Sequence, residues 1–520
     1  MKTINKFLFL FLIIAASCND VLDEEPETFF SEDQIFSTEE GVESAVNGIY
    51  QSFADPGYHG SSYHGLIMPL SGKFWSSQGA SEDGTRLDCS PTNVWLTRLW
   101  PQMYQTINVA NFTIQNLENT EIVLSNKETA LGQAYFLRAA TYFDLVRLFG
   151  EVPLKTRPTD AETLHTPKSS KEEVYDLIFS DFEKARAMLP EQGAQKLGRP
   201  SKLAVNAYLG KVYMQLAGED NGNEALWQNA FEELSPILGE YQLLPTYAEV
   251  FALNRENSSE SIFELQYGAN GATRNSDVIR NYTPKNSFFS PENVDVFGRI
   301  RPNKETYDDH AAQYPEDPRI AATHVFNEYL ERPMDPNDPD EAQSFRRVYP
   351  AQAGGNFGYT FLRKYFEPDF NGSTTNRNFI KIRYADVLLM LAEVENELNG
   401  PGDAYQYVNQ VLTRARNLGS TEAAQPADWS GMSQDEFRTR ILKERQYELL
   451  GEGHSWFDTR RRGYEYFLEE VVERHNTNPT FDDGKDFIYP VSIKNMLLPI
   501  PSNEISGNQA ITPADQNPGY

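Results

Sequence analysis

In QAYFLRAATYF (133–143), small residues and large apolar ones recur at spacings of three and four. On a helix those spacings gather side chains on one face, and alanines there let the rings of a neighbouring helix come close. The same texture returns in AVNAYLGKVYM (204–214) and in YADVLLMLAEV (384–394). Each stretch sits in a longer helical run, and the runs come in pairs: 129–149 with 171–189, 201–217 with 223–238, and 379–400 with 403–417. Ser170 and Ser201 stand where N-caps belong. A helix opens after Thr38 and runs to about Phe53, another spans 92–119 with a Trp100, Tyr104, Ile107 and Phe112 stripe, and a last one covers 433–453.

Stacked helix pairs with interlocking Ala and Tyr resemble tetratricopeptide repeats, although long insertions break the uniform period. A plain helical bundle stays open on these residues alone. The expected fold class is mostly α, a tetratricopeptide-like helix-pair scaffold. Residues 240–375 differ: they are rich in Asn, Pro, Gly and Asp, with apolar bursts such as ESIFELQYG (260–268) and GYTFLRKYF (358–366). They read as a loop-rich insertion with short strands. Residues 54–92 lack helical periodicity and read as one long loop, a length more often functional than idle.

At the N-terminus, Lys2 and Lys6, an apolar run from Phe7 to Ile14 and the small residues Ala15, Ala16 and Ser17 lead to Cys18. A charged start, a short apolar core and a small-residue exit describe a signal peptide. The run is too short for a membrane span. The cysteine after it resembles the lipobox of bacterial lipoproteins, with Ala15 where Leu is usual. Acyl chains on Cys18 would be the anchor. The expected organisation is a signal peptide at 1–17, a lipidated acidic tether at 18–34, helical regions at 35–239 and 376–520, and the insertion at 240–375 between them. About 500 mature residues exceed the ~250–300 of a usual single core, so one elaborated body or two intertwined lobes are expected.

With Cys18 lipidated, Cys89 is left alone and no intramolecular disulfide can form. The 75 acidic and 46 basic residues give a net charge of −29, which argues against nucleic acid as a partner. It also weighs against strongly anionic polysaccharides unless a local basic patch overturns it. His59 and His64 lie in no zinc pattern. DPNDPDE (335–341) lacks the turn glycine and closing glutamate of an EF-hand and reads as a solvated turn. No nucleophile elbow, phosphate loop or distinct carboxylate pair stands out, so neither catalysis, nor a metal, nor a cofactor is expected. The dense segment ILKERQYELLGEGHSWFDTRRRG (441–463) could be an active-site cluster, but reads better as a buried ion-pair network locking a terminal helix.

From Lys443 to Gly463 that segment is similar to the C-terminal signature of the SusD/RagB family of outer-membrane lipoproteins in Bacteroidota. LRAATYFDLVRLFGEVPL (137–154), IRYADVLLMLAEVENELNG (382–400), CNDVLDEEP (18–26) and the closing LLPIPSNEISGNQAITPADQNPGY (497–520) resemble the same family in order. The resemblance implies four tetratricopeptide-like helix pairs and a ligand face of loops and insertion. It implies a lipid-anchored, surface-exposed protein that passes an oligosaccharide to a SusC-like TonB-dependent transporter without catalysis. Peptide or glycoprotein cargo is the alternative within the family; an envelope enzyme or a tetratricopeptide adaptor lies outside it. In the family, ligand residues often lie in the loop before the second helix of the first pair, here FWSSQGASEDGTRLDCSPTNVW (74–95), and in the insertion. The loop offers Trp75, Arg86, Asn93 and Trp95, and the insertion offers Tyr282 and Tyr359. Trp75 is expected to be exposed, whereas Trp95 either meets ligand or begins a helix and faces the core.

Overall fold

The computed structural model describes residues 32–520 except 77–80, 221–222, 269–275, 293, 334–342, 373–374, 478 and 480–487. The expected signal peptide, Cys18, most of the tether and the 335–341 turn lie outside the described residues.

Caps decide where the main helices begin. Helix α1 (Glu39–Phe53) starts at Thr38, whose hydroxyl accepts from the Gly41 amide at 3.1 Å. Helices α2 (Ser61–Leu70), α3 (Leu96–Asn119) and α4 (Lys127–Phe149) follow. Ser170 and Glu173 form a reciprocal capping box at the start of α5 (Lys171–Met188). Ser201 precedes α6 (Lys202–Glu219) but makes no side-chain cap bond, contrary to expectation. Then come α7 (Glu224–Leu234), α8 (Lys304–Gln313), α9 (Tyr384–Asn399), α10 (Pro401–Arg416) and α11 (Gln434–Leu449), the last opened by a Ser433–Glu436 capping box.

Helix α1 packs on α3, α4 on α5, α6 on α7, and α9 on α10, giving four tetratricopeptide-like pairs; α9 also meets α7 and α11. Ala134, Ala139 and Ala140 of α4 are buried and keep its neighbours close. Phe136 thereby meets Phe182, Tyr208 and Phe263 edge-on at 5.8, 5.2 and 5.1 Å. Burying such a ring contributes about 2 kcal/mol.

Short antiparallel pairs join the rest. Strands β1 (Phe74–Trp75), β2 (Val152–Pro153), β3 (Lys168–Ser169), β4 (Ser261–Leu265) and β5 (Arg301–Pro302) precede β6 (His324–Val325), β7 (Glu328–Glu331), β8 (Ser344–Arg347), β9 (Phe361–Leu362) and β10 (Phe379–Arg383). They pair as β1–β5, β2–β3, β4–β10, β6–β9 and β7–β8. The main core includes residues of both helical regions and of the insertion, while Val325, Tyr329, Val348, Phe361 and Phe366 form a small core inside the insertion.

Two expectations are corrected. Residues 379–383 are strand β10, not the first turn of a helix. The alternation Ile380, Lys381, Ile382, Arg383 is the strand signal, too short to stand out beside the long helical pattern it adjoins. Residues 54–92 are not one loop: they hold α2 and short helices at Pro56–His59 and Ser81–Thr85. From Ser62 to Leu70 every residue of α2 is buried, so it has no polar face to set a helical period. Among the described residues no helix is long and apolar enough to cross a membrane.

The 441–463 segment forms the expected buried network. Glu448 meets Arg319, Arg383 and Arg414, and Glu444 meets Arg319 at 2.5 Å. Glu452 meets Arg383 at 2.8 Å and Lys364 at 2.7 Å. Arg445 bridges Asp386 and Asp458, both at 2.9 Å, and Arg461 holds Glu393 at 2.6 Å. These side chains tie α11 to α9, α10, β10 and the insertion.

The network makes stability depend on pH. Burial by itself raises the Glu448 carboxyl, but Arg414, Arg383 and Arg319 together hold it down to about 2 against an ordinary 4.5. Burial, aided by the Lys381 charge, presses His64 down to about 3 from 6.5, and it holds His59, His324 and His454 well below their ordinary value. Such groups bind fewer protons folded than unfolded. Their stabilisation is complete above the unfolded values and is lost as pH falls toward the folded ones. Glu256, pushed up to about 7 by burial, opposes this, as do Asp181, Glu233, Glu264, Asp308 and Glu367, whose carboxyls burial also raises, but among the described residues the depressed groups outnumber them. Melting temperature should therefore fall from pH 7 to pH 5 as the histidines take up protons in the unfolded chain, and more steeply below 4.5. A melting curve equally high at pH 4 and pH 7 would contradict this balance.

Candidate functional site

Strand β1 pairs with β5 so that Trp75 lies opposite Arg301. The Asn303 side-chain amide donates to the Gly72 carbonyl at 2.6 Å, and the Thr306 hydroxyl to the Lys73 carbonyl at 2.9 Å. These bonds pin the start of α8 beneath the pair. The Tyr359 ring stacks on Trp75 at 4.2 Å and 14°. The β7–β8 hairpin, in which Tyr329 faces Arg346, forms a further wall. Together they enclose a cleft of about 280 Å³, whose lining includes Trp75, Phe297, Arg299, Arg301, Arg346 and Phe357.

Arg301 is 6 % exposed, and its Nε donates to the Gly298 carbonyl at 2.5 Å while Nη1 donates to the Asn356 carbonyl. Its guanidinium lies 4.6 Å from the Phe361 ring centre and 5.5 Å from that of Trp75. Arg299 lies 4.0 Å over Phe297, and Arg346 lies 4.7 Å over Phe357. The indole Nε1 of Trp75 and the Nε atoms of Arg299 and Arg346 are buried without a hydrogen-bond partner among the described residues. Unsatisfied donors converging on an aromatic-walled cleft suit a ligand that has flat apolar faces and many acceptors.

The six sequence candidates separate. Trp75 and Tyr359 come together, but the expected exposure of Trp75 is corrected: it is 2 % exposed and Tyr359 0 %. One face of the indole is covered by Tyr359, so Trp75 reaches the cleft only as part of its wall. Arg86 is half-exposed and pairs with Glu82 at 2.7 Å, one turn away. Asn93 is a helix cap: its Oδ1 accepts from the Trp95 amide at 2.9 Å, and its Nδ2 donates to Asp83 at 2.9 Å. Trp95 takes the core alternative: it is buried, with its ring edge where a side chain at Gly65 would lie. Tyr282 is buried in the core, its hydroxyl 2.9 Å from Nδ1 of His64. Polar neighbours in the chain suggested surface, but these rings anchor their segments to the core. Arg299, Arg301, Arg346, Phe297 and Phe357 were missed; the alternating arginines of FGRIRP (297–302) were a signal that could have found two of them.

A larger cleft, of about 520 Å³, opens on the other side of the insertion's small core, among Tyr247, Phe251, Phe288, Phe289, Phe366 and Leu418. Lys364 on its wall is committed to Glu452, and Arg377 to the carbonyls of Phe251 and Phe366. Two donors nevertheless stay open there among the described residues: the buried Nε of Arg377 has no partner, and Arg363 on the wall makes no ion pair. Glu256, the carboxyl pushed up to about 7, lines a void of about 20 Å³, room for one water and no sugar ring. Among the described residues no group of three or more His, Cys, Asp or Glu could hold a metal ion. His59 is instead a buried structural residue, its Nδ1 2.6 Å from the Phe53 carbonyl.

Comparison with known proteins places this geometry in context. The model of the SusD family matches residues 259–520, and a model described as starch-binding associating with outer membrane matches 20–214. SusD-like protein P2 of Formosa agariphila is 28 % identical over an alignment covering all of both chains. A solved SusD homologue from Bacteroides thetaiotaomicron superposes with a TM-score of 0.75 at 20 % identity, covering 94 % of this chain and 98 % of its own. A structure described as a laminarin-binding SusD-like protein superposes with a TM-score of 0.68 at 23 % identity, covering 93 % of this chain and 100 % of its own. These likenesses establish a shared fold.

Proposed function

Since this chain belongs to the SusD family, we propose that it captures a nutrient glycan at the outer surface of the cell and hands it to a SusC-like TonB-dependent transporter. In this reading Cys18 carries the lipid anchor, and the subunit makes and breaks no bond. The supporting observation is the Trp75 cleft, where aromatic walls meet donors that have no partner among the described residues. Sugar rings present C–H faces to such walls and hydroxyl oxygens to such donors. An open cleft that covers part of a polymer gains modest affinity once association costs are met, which suits a protein that must release its cargo.

The full chain in detergent, run through native gels containing neutral and acidic polysaccharides, tests the reading. At least one polymer should retard it. Phe357→Ala, which trims a half-buried ring at the cleft, should weaken that retardation about tenfold. Trp75→Leu should do so too, provided its melting temperature shows a folded protein. Retardation untouched by both changes would move the site to the larger cleft. No retardation by any polymer, together with retention of peptides or glycoproteins, would transfer the role to the alternative cargo.

A further inference from the structure

We propose that the Trp75 cleft is built for a charged glycan: an oligosaccharide bearing carboxylate or sulfate groups, one of which docks on Arg299 and Arg301. This rests on the glycan-binding reading and names its substrate class.

The chain carries 75 acidic against 46 basic residues, so an arbitrary patch of it should be acidic. The cleft reverses that balance: among the described residues, Lys285, Arg299, Arg301 and Arg346 line it against Glu331 alone. Glu331 is already engaged by Arg346 at 2.8 Å. Among the described residues, no carboxylate lies within ion-pair distance of Lys285, Arg299 or Arg301.

Burying a cation is costly unless it is paired, and this protein usually pairs them. Arg138 is held by Asp181, Arg383 by Glu260, Glu448 and Glu452, and Arg461 by Glu393. Arg460 is buried without a carboxylate, yet its three nitrogens all donate to backbone carbonyls, those of Trp456, Met496 and Arg147. Arg301 differs from both patterns. Two of its nitrogens are used on carbonyls, and among the described residues Nη2 has no acceptor. Burial pulls its pKa down to about 10, which leaves it charged at neutral pH. Among the described residues the Arg299 side chain makes no hydrogen bond; of the two acids near it, Asp277 accepts from the Ser61 amide at 2.7 Å and Asp295 pairs with Arg280 at 3.2 Å.

For a neutral sugar these positions would be served by Asn or Gln, at a smaller desolvation cost. Planar guanidinium groups are the side chains that match the paired oxygens of a carboxylate or sulfate. The aromatic walls then hold the ring that carries the anion.

Binding of dextran, carboxymethyl dextran and dextran sulfate to the immobilised full chain isolates the charge on one sugar backbone; polygalacturonate and carrageenan extend each arm. Carboxylated or sulfated polymers, or both, should bind at least about tenfold more tightly than neutral ones, and added salt should weaken them. Arg299→Gln and Lys285→Gln break no hydrogen bond or ion pair among the described residues and should each lower that binding several-fold. Arg301→Leu should abolish it. Lys196→Gln, at a 71 % exposed lysine outside the cleft, changes the charge equally and should leave binding intact. Preference among the charged arms tells carboxylate from sulfate. Neutral polymers bound as tightly as charged ones would overturn the inference while sparing the glycan reading. Failure of every polymer, neutral and charged, would overturn both. Charged polymers bound only after Asp335, Asp338, Asp340 and Glu341 are neutralised would also overturn it, by making those acids of the β7–β8 connection the natural counter-ions.

Discussion

Glu448→Ala should destabilise the protein by about 3–5 kcal/mol, a large part of the ~5–15 kcal/mol that holds a folded chain together. The carboxylate sits among three guanidinium groups brought by different parts of the chain: Arg319 from the insertion, Arg383 from β10 and Arg414 from α10. Exposure of these four side chains runs from 0 to 3 %. Removing the carboxylate leaves its three cations desolvated with fewer counter-charges, and that residue of unpaired charge dominates the cost. Glu448→Gln keeps the shape and some hydrogen bonding and should fall between wild type and Ala. Urea unfolding measures both. A midpoint for Glu448→Ala within error of wild type would mean that the network contributes little to holding α11 in place. The acid sensitivity predicted above should shrink in the same variant, because the group that titrates has gone.

Gly65→Val should cost about 3 kcal/mol. A Cβ built at Gly65 would lie 1.5 Å from Cζ3 and 1.9 Å from Cε3 of Trp95. The indole cannot stay where it is, and it is held from the other side because Asn93 caps the start of α3 beside it. By helix propensity alone, even Gly65→Ala should stabilise α2 by about 1 kcal/mol. The opposite sign, a lowered melting temperature, would therefore report the ring contact. Gly65→Val with Trp95→Leu should recover part of the loss. Equal stability of Gly65→Ala and wild type would place Trp95 elsewhere and reopen it as a ligand residue.

Much of the scaffold was legible because helix signals are local. Ser170 with Glu173 and Ser433 with Glu436 announce their helices within four residues. The Ala and aromatic spacing in 133–143 describes one face of α4 without knowledge of its partners. The 441–463 segment was also legible, since charges alternating with large apolar residues near a helix end leave few other uses. Helix α2 was not, because a helix buried all round shows no amphipathic period. Nor was the burial of Trp75, Trp95 and Tyr282. The chain neighbours of a residue say little about what covers its side chain.

Sequence by itself determined the mostly helical class and the overall negative charge, because each is a sum over local patterns or composition, while the helix-pair scaffold followed from resemblance to a family. Only the tertiary structure decided which aromatic rings wall a cleft and which cations lack partners. Arg301 meets Trp75 through a two-residue strand pair between distant parts of the chain, and its isolation from carboxylates depends on every segment that packs around it. Burial and charge pairing are long-range quantities, set by which elements meet, and no local stretch of this sequence contains them.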